Sequence, residues 1–438
     1  MNTSETAALQ HLSHAELTCA RVPGLDAAAA PRKIRSVGVV GAGTMGAGIA
    51  LACISRGFEV VLLDNSNESL QRGLGTIGKL LESGVRKQRI TPAEATAARA
   101  RLVASDDYDS LAHSDLVIEA VFESMAVKEA VFSDLDRVCR PGAILATNTS
   151  TLDVDRIAAA TGRPEDVVGL HFFSPAHVMR LLEIVRGAAT GDAVIAGSLE
   201  FARTLGKIGV VVGNCFGFVG NRMLYGYGRE NQFLLLEGAA PEYVDEVLTR
   251  FGMAMGPNAV GDLAGLDVGY NVRRERTDLP DDPRYYRVAD LLAEQGRYGQ
   301  KTGAGIYAYK SGSRTPLPDP AVQAMIEAEA ARLGIERRDI DAQEIVERCI
   351  YALVVEGARL LEEKIALRPG DIDVVWANGY GFPRQRGGPM FYADTVGPAR
   401  IYERIRQFND RFGSRYWEPP ALLQSLAGSG RRFCDLEE

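Results

Sequence analysis

Short apolar runs of strand length recur along the first half of the chain and alternate with longer segments in which apolar residues follow a helical spacing. Strands that alternate with helices are typical of a mostly parallel sheet with helices on both faces. The pattern therefore predicts a doubly wound α/β domain over residues 34–212. Its predicted strands are Val37–Val40, Val60–Leu63, Leu116–Ala120, Ala143–Ala146, Val167–His171, Leu181–Val185 and Val210–Val212.

Beyond Cys215 the strand-like runs stop, and the apolar positions follow helical spacing. A proline-rich stretch at Thr315–Pro320 divides this part into two pieces that repeat one another. We predict two copies of an all-α unit of about 100 residues, a common domain size, over residues 213–312 and 341–438, joined by a linker at 313–340. The matched segments are Leu234–Gly238 with Leu360–Glu362, Val244-Asp245 with Ile372-Asp373, Phe251-Gly252 with Tyr380-Gly381, and Gly256-Pro257 with Gly388-Pro389.

Residues 1–33 precede the first predicted strand. We expect a helix and then a linker here, because an alanine-rich segment at 23–31 follows apolar residues that recur at helical spacing. These residues are Ala8, Leu9, Leu12, Ala15 and Leu17.

The composition is that of an ordinary soluble globular protein, with 46% hydrophobic and 24% charged residues. With a net charge of -8, no nucleic-acid partner is expected, and no stretch reaches the roughly 18 apolar residues of a membrane span. The six cysteines are scattered without a C-x-x-C pair or histidines at metal-ligand spacing, so no metal site is expected. The chain shows no secretory signal and no C-terminal Ser-Lys-Leu address, so a cytoplasmic protein is expected.

A glycine-rich loop joins the first predicted strand to a helix of small residues. In its Gly-x-Gly-x-x-Gly pattern the first glycine permits a tight turn, the second lets backbone approach a pyrophosphate, and the third lets helix and strand pack closely. An acid ends the next strand, about 20 residues further on, where it accepts hydrogen bonds from a ribose 2′-hydroxyl and repels a 2′-phosphate. This predicts a Rossmann-type site for NAD rather than NADP, formed by Gly41, Gly43, Thr44, Met45, Gly46 and Asp64.

A histidine and a glutamate could form an acid–base pair. His171 ends the run that begins at Val167, and Glu183 lies in the next apolar run. A buried acid needs a partner, and an imidazole oriented by a carboxylate can remove a proton from a hydroxyl. The alternatives are that His171 is a half-buried structural side chain, or that His177, expected on an exposed turn, is the base.

Other polar residues could face the same cleft. Asn148 and Ser150 follow the fourth predicted strand at the carboxyl edge of the sheet, where open α/β folds bind ligands, although such residues also form turns. Asn221 could donate to a substrate carbonyl if the helical half covers the cleft. Basic residues after the second strand either form a solvated face or bind substrate phosphates; they are Arg72, Lys79, Arg86, Lys87 and Arg89.

These residues resemble the NAD-dependent L-3-hydroxyacyl-CoA dehydrogenases, and most of all the dehydrogenase half of the peroxisomal-type bifunctional hydratase/dehydrogenase. The resemblance covers nearly the whole chain and is specific, because many separate motifs occur in one order. They are Gly41–Gly46, Glu119–Glu123 with Lys128, Asn148–Leu152, His171–Met179, Gly213–Asn221, Asp262–Asp267, Tyr298–Gly303 and Gly387–Met390.

The resemblance implies catalytic roles for four residues. His171 would be the base and Glu183 its carboxylate partner. Ser150 and Asn221 would donate hydrogen bonds to the 3-oxygen or the thioester of the substrate.

The resemblance also implies ligand contacts. Glu123, Lys128 and Asn148 would line the NAD site, and Lys87 would contact CoA. Ser174 replaces the asparagine that short single-domain relatives carry after His-Phe-Phe, as in the multifunctional members of the family.

The reaction that the resemblance implies is reversible oxidation of L-(3S)-3-hydroxyacyl-CoA to 3-oxoacyl-CoA with NAD, in fatty-acid β-oxidation or related acyl-CoA metabolism. Residues 6–16 resemble the helix that links the two halves of the bifunctional enzyme. No crotonase-like sequence precedes them, so hydratase activity is expected to be absent. The alternatives are a dehydrogenase of a non-CoA 3-hydroxyacid or sugar acid, and a non-catalytic NAD-binding structural or sensor protein.

The duplicated helical half predicts a monomer. In single-domain relatives one such unit pairs with the same unit of a second subunit through identical faces. Here the second copy is expected to cover that face and form an internal pseudo-dimer. It lacks a match for the Gly217–Asn221 run, so we expect it to be a scaffold.

Overall fold

The computed structural model describes residues 3–26 and 29–436. Two predicted segments extend beyond these ranges. In the N-terminal segment 1–33, residues 1–2 and 27–28 lie outside the described residues. At the C-terminal end of the second helical unit, residues 437–438 also lie outside them.

Within the described ranges, eight strands form one sheet in the order β3-β2-β1-β4-β5-β6-β7-β8. All neighbouring strands are parallel except β6 and β7, which are antiparallel. The predicted fold class is confirmed, and the structure adds one strand, β3, which hydrophobicity did not mark because two of its four residues are exposed at the sheet edge. The strands are β1 Ser36–Val40, β2 Glu59–Leu63, β3 Leu102–Ser105, β4 Leu116–Glu119, β5 Ile144–Thr147, β6 Val167–Phe172, β7 Leu181–Arg186 and β8 Ile208–Gly213.

Apolar side chains cover both faces of the sheet. Val39 and Ile118 belong to one buried cluster, whereas Val40 and Val117 belong to another on the opposite face. Successive strand residues point to opposite faces, so nearly continuous apolar strands are what a sheet covered on both sides requires. The helices within and before this domain are α1 Thr3–Thr18, α2 Thr44–Ile54, α3 Asn67–Arg86, α4 Pro92–Ala100, α5 Met125–Val138, α6 Val154–Ala158 and α7 Asp192–Thr204.

The rest of the described chain is mostly helical, with isolated β-bridges between residues 299 and 317. No helix in the described ranges is long and apolar enough to cross a membrane. The segment predicted as the 313–340 linker contains helix α13, which buries Val322, Ile326 and Ala330 in the core. These helices are α8 Gly220–Glu237, α9 Pro241–Phe251, α10 Pro257–Ala264, α11 Leu266–Glu275, α12 Arg287–Glu294, α13 Pro320–Arg332, α14 Ala342–Glu362, α15 Pro369–Gly379, α16 Pro389–Val396, α17 Pro398–Phe412, α18 Ser414–Trp417 and α19 Ala421–Ser429.

The two helical units use the same local device at matching positions. The carboxylate of Asp245 accepts hydrogen bonds from the backbone N–H groups of Asn258 (2.9 Å) and Ala259 (3.0 Å) at the start of α10. The carboxylate of Asp373 accepts from Met390 (2.7 Å) and Phe391 (3.1 Å) at the start of α16. Each aspartate therefore satisfies helix N–H groups that have no intrahelical partner.

A buried ion-pair cluster joins the two units where α8 packs on α14. The guanidinium of Arg348, which is 1% exposed, donates to Glu230 Oε2 at 2.9 Å and to Glu237 Oε2 at 2.6 Å. Removing one partner of such a cluster strands a buried charge at a cost of about 3–5 kcal/mol. The cluster therefore specifies which face of one helix meets the other.

The N-terminal helix α1 packs against the second helical unit. His11 Nε2 lies 2.8 Å from Asp373 Oδ2, and its ring stacks on Phe391. Glu16 Oε1 accepts from Arg384 at 2.8 Å. The helix is therefore part of the folded body, although Leu17, counted in its apolar spacing, is 76% exposed.

Candidate active site

The glycine-rich loop has the geometry that its sequence predicts. Gly41 has φ +101°, and a Cβ there would lie 2.7 Å from the carbonyl oxygen of Ala120. A Cβ on Gly46 would lie 1.7 Å from the carbonyl oxygen of Gly41. Both positions therefore require glycine for the fold itself.

Gly43 differs from the other two glycines because a Cβ there would meet nothing within 4 Å. It is the N-cap of α2 and supplies no side-chain cap. The first N–H groups of α2, at Thr44 and Met45, therefore lie beside free space at a helix N-terminus, which suits a pyrophosphate. These residues fit the phosphates of NAD.

Asp64 follows β2 and is linked to the same loop. Its Oδ2 accepts from the backbone N–H of Ala42 at 2.8 Å, and its Oδ1 accepts from that of Ser66 at 3.1 Å. Each carboxylate oxygen retains a further acceptor site. Asp64 can therefore hold the loop and still accept from a ribose hydroxyl.

His171 and Glu183 lie directly opposite one another on the antiparallel strands β6 and β7. His171 Nδ1 lies 2.7 Å from Oε2 of Glu183, and the two residues are 6% and 0% exposed. The other carboxylate oxygen accepts from the backbone N–H of Gly220 at 3.0 Å. Because Nδ1–H donates to the glutamate, Nε2 carries the lone pair and can accept a proton.

The alternative base, His177, is exposed on the turn after Pro175, as expected. Lys207, which sequence reasoning missed, holds this turn by donating to the carbonyls of Ala176 and Met179 at 2.6 Å each. Burial lowers the pKa of Lys207 to about 8. A lone lysine between a helix and the last strand carried no sequence signal for this long-range contact.

Glu123 organises the loop after β5. Its Oε1 accepts from Thr149 Oγ1 at 2.7 Å, and from the backbone N–H and the hydroxyl of Ser150 at 2.8 and 3.1 Å. Burial raises the pKa of Glu123, but the Lys128 ammonium and these hydrogen bonds outweigh it and hold the pKa below its ordinary value. Glu123 is therefore an anion that fixes the backbone around Ser150.

Lys128 is buried, with 1% exposure. Its Nζ lies 2.7 Å from Glu119 Oε1 and 3.3 Å from Glu123 Oε2. Its ammonium therefore influences the cleft indirectly, by pairing with the Glu123 carboxylate that holds the Ser150 loop.

The structure joins the remaining polar candidates at the carboxyl edge of the sheet. Asn148 Oδ1 accepts from the backbone N–H of Phe172 at 2.9 Å and so ties the end of β5 to that of β6. Asn221 Nδ2 donates to the carbonyl oxygen of Ser150 at 3.2 Å. A residue that the sequence reasoning missed, Tyr380, donates to Asn221 Oδ1 at 2.9 Å from the unit expected to be only a scaffold.

Lys87 lies apart from this group. It is exposed at the C-terminal end of α3, a helix of 20 residues that extends about 30 Å at 1.5 Å per residue. In the part of the chain that the structure describes, no group of three or more His, Cys, Asp and Glu side chains could hold a metal ion.

A Rossmann-type sheet with this phosphate-binding loop, followed by helical units that meet its carboxyl edge, defines an NAD-dependent oxidoreductase. Residues 36–215 match the family model for the NAD binding domain of 3-hydroxyacyl-CoA dehydrogenase. Residues 217–309 and 345–432 both match the model for its C-terminal domain. The chain belongs to the 3-hydroxyacyl-CoA dehydrogenase family, whose cofactor is NAD.

Curated relatives support the same assignment. The chain is 45% identical to the peroxisomal bifunctional enzymes of Danio rerio and Homo sapiens over 91% and 92% of its length. It spans 57% of the length of each of these two enzymes.

Solved structures of similar fold include a 3-hydroxybutyryl-CoA dehydrogenase and the dehydrogenase part of a multifunctional enzyme. The 3-hydroxybutyryl-CoA dehydrogenase of Escherichia coli is 29% identical, with a TM-score of 0.76, and the match covers 91% of this chain and 99% of that one. The dehydrogenase part of multifunctional enzyme 1 from C. elegans is 28% identical, with a TM-score of 0.68, and the match covers 95% and 96%.

The expectation of a cytoplasmic protein is wrong. The relatives from Danio rerio and Homo sapiens are named peroxisomal. So is a relative from Arabidopsis thaliana, which is 37% identical over 98% of this chain and matched over 60% of its own length. The expectation rested on the absence of a recognisable address, and an absent signal does not identify a compartment.

The contrast between two glycines tests the cofactor loop. Gly43→Ala should lower the thermal midpoint of unfolding far less than Gly46→Ala does, because alanine there is only a poorer N-cap, but should raise the Kd for NAD at least about tenfold, because the methyl group enters the space for phosphate. Gly46→Ala is the control for the fold and should lower the midpoint, since its Cβ would overlap Gly41. Thermal unfolding and calorimetric NAD titration measure both effects. Unchanged NAD affinity in Gly43→Ala would place the pyrophosphate elsewhere.

Proposed function

We propose that this protein reversibly oxidises L-(3S)-3-hydroxyacyl-CoA to 3-oxoacyl-CoA with NAD. The observation that carries the proposal is the buried His171–Glu183 pair at the carboxyl edge of a Rossmann-type sheet, where such folds bind their ligands. Membership of the 3-hydroxyacyl-CoA dehydrogenase family supports the substrate class. The names of the peroxisomal relatives support a place in fatty-acid β-oxidation.

His171 takes the proton of the substrate's 3-hydroxyl at Nε2. Its Nδ1–H donates to Glu183, which fixes the tautomer and stabilises the imidazolium that forms. Gly41–Gly46, Asp64 and the loop after β5 that Glu123 organises would hold NAD, which would supply the hydride acceptor. The reverse reaction returns the proton from the same nitrogen.

Asn221 binds the substrate oxygen, and Ser150 does so when its hydroxyl, which donates to Glu123 in this structure, turns to that oxygen. Asn221 Nδ2 uses one N–H for the carbonyl of Ser150 and retains a second for the 3-oxygen or the thioester carbonyl. Donors aimed at an oxygen that gains charge stabilise the transition state. Asn148 and Lys128 support the cofactor side through Phe172 and Glu123. Lys87 remains a proposed contact for CoA.

The proposed activity of the described domains is dehydrogenation without enoyl-CoA hydration. Support comes from the C. elegans structure, named the dehydrogenase part of a multifunctional enzyme, whose match covers 95% of this chain. Together, the two family models account for residues 36–215, 217–309 and 345–432.

Kinetics with L-3-hydroxybutyryl-CoA and free L-3-hydroxybutyrate test the proposed substrate class. The CoA ester should have the higher kcat/KM with NAD, because its nucleotide supplies binding energy remote from the reacting carbon. Equal values for the two would support a non-CoA 3-hydroxyacid dehydrogenase. An absence of turnover with either would support a structural or sensor protein.

His171→Gln should lower kcat at least about 100-fold, the low end for general acid–base catalysis, with NAD affinity nearly unchanged. Glu183→Gln should lower kcat and change the pH–rate profile, because the imidazolium loses its carboxylate. Steady-state kinetics across pH and NAD titration measure these effects. Near-normal kcat in His171→Gln would remove this residue from the mechanism.

We further infer that the protein is a monomer whose two helical units form an internal pseudo-dimer. The packing of α8 on α14, with Arg348 buried between Glu230 and Glu237, supports this. Sedimentation velocity at micromolar protein should give a single species near 47.3 kDa. A dominant dimer would contradict the proposal.

A further inference from the structure

Tyr380 belongs to the second helical unit but lies against the candidate active site. It follows α15 directly, and its hydroxyl donates to Asn221 Oδ1 at 2.9 Å. Its ring meets Phe173 edge-on at 5.5 Å between centroids, and Phe173 lies 4.4 Å from the ring of His171. One side chain of the second unit therefore contacts two segments of the site.

The hydrogen bonds around Asn221 have only one consistent direction. The carbonyl oxygen of Ser150 can only accept, so the amide nitrogen of Asn221 must face it. The amide oxygen then faces Tyr380, whose hydroxyl must donate. Burial raises the pKa of Tyr380 well above its ordinary value, so the phenol keeps its proton.

Neighbouring residues hold the Tyr380 ring in place. Trp376 stacks on it with 4.8 Å between centroids and 25° between planes. A Cβ on Gly220 would lie 2.3 Å from the tyrosine ring, so only glycine lets the ring come this close to α8. The backbone N–H of Gly220 donates to Glu183. The ring and the start of α8 are thus packed as one rigid group.

The residue of the first helical unit that corresponds to Tyr380 carries no hydroxyl. Phe251 is the counterpart of Tyr380 in the internal repeat, and it packs among Phe382 and Tyr392 of the second unit. The segments that follow Phe251 and Tyr380 lie side by side where the two units meet, because the N–H of Ala254 donates to the carbonyl of Gly381 at 3.0 Å. The second unit has no Gly-Phe-Val-Gly-Asn run and so no counterpart of Asn221. The hydroxyl is present only in the copy that faces an asparagine.

We propose that Tyr380 is a positioning residue for the dehydrogenation, contributed by the second helical unit, and that its hydroxyl fixes the Asn221 amide with its free N–H toward the substrate oxygen. The inference rests on the proposed function, because it assigns Asn221 to the substrate. It makes the second unit part of the active site rather than a scaffold alone.

Tyr380→Phe tests the proposal, because it removes the hydroxyl and keeps the ring. We expect kcat for L-3-hydroxybutyryl-CoA to fall about threefold to tenfold, the effect of one hydrogen bond, with KM for NAD unchanged. The matched control is Tyr416→Phe, which removes a hydroxyl of the same unit that donates to Asp282 at 3.3 Å. The control should keep the wild-type kcat.

A double-mutant cycle separates positioning from general loosening of the fold. Asn221→Ala should lower kcat by itself, and adding Tyr380→Phe to it should change kcat less than about 1.5-fold, since the hydroxyl then has nothing to hold. Wild-type kcat in Tyr380→Phe, or independent effects in the double variant, would overturn the inference while leaving the proposed function intact. Wild-type kcat in Asn221→Ala, or a wild-type protein inactive on the CoA ester, would overturn the proposed substrate contact as well.

Discussion

The carboxylate of Glu183 is the interaction on which the rest of the arrangement depends. It is fully buried in β7, and a buried carboxylate is tolerated only when it is paired and hydrogen-bonded. One oxygen meets His171 of the sheet domain, and the other accepts from the N–H of Gly220, where helix α8 begins. The same group therefore orients the imidazole and fixes the position at which α8 leaves the sheet. Asn221 follows by one residue, so the position of the substrate donor depends on the same contact.

The duplicated helical half shows how two related units divide their tasks. Both retain the aspartate that caps a neighbouring helix, Asp245 in one and Asp373 in the other, because this device serves the fold. They differ where the chemistry lies: the first unit carries Asn221 and the second carries Tyr380, and these two side chains meet. The two units thus contribute one partner each to a single hydrogen bond at the candidate active site.

Much of the fold was predictable, because strands buried on both faces leave long apolar runs in the sequence. The edge strand β3 was missed, since an exposed edge removes that signal. The His171–Glu183 pair was predictable because a buried acid requires a partner nearby. The contacts of Glu123 with the backbone at Ser150, and of Tyr380 with Asn221, were not predictable. The first contact joins loops that follow the neighbouring strands β4 and β5, and the second depends on how the two helical units pack, so no local pattern encodes either.

The charge cluster between α8 and α14 also bears on misassembly. Glu230 and Glu237 belong to α8, whereas Arg348 belongs to α14. Two α8 helices from different molecules would keep Arg229 beside Glu230 but lose Arg348. Two α14 helices would keep Glu344 beside Arg348 but lose Glu230 and Glu237. Each pairing of like helices therefore removes part of the ion-pair network around a buried charge, whereas the pairing of α8 with α14 completes it. The contact between the two helical units is therefore selective for unlike helices, although both units match the same family model.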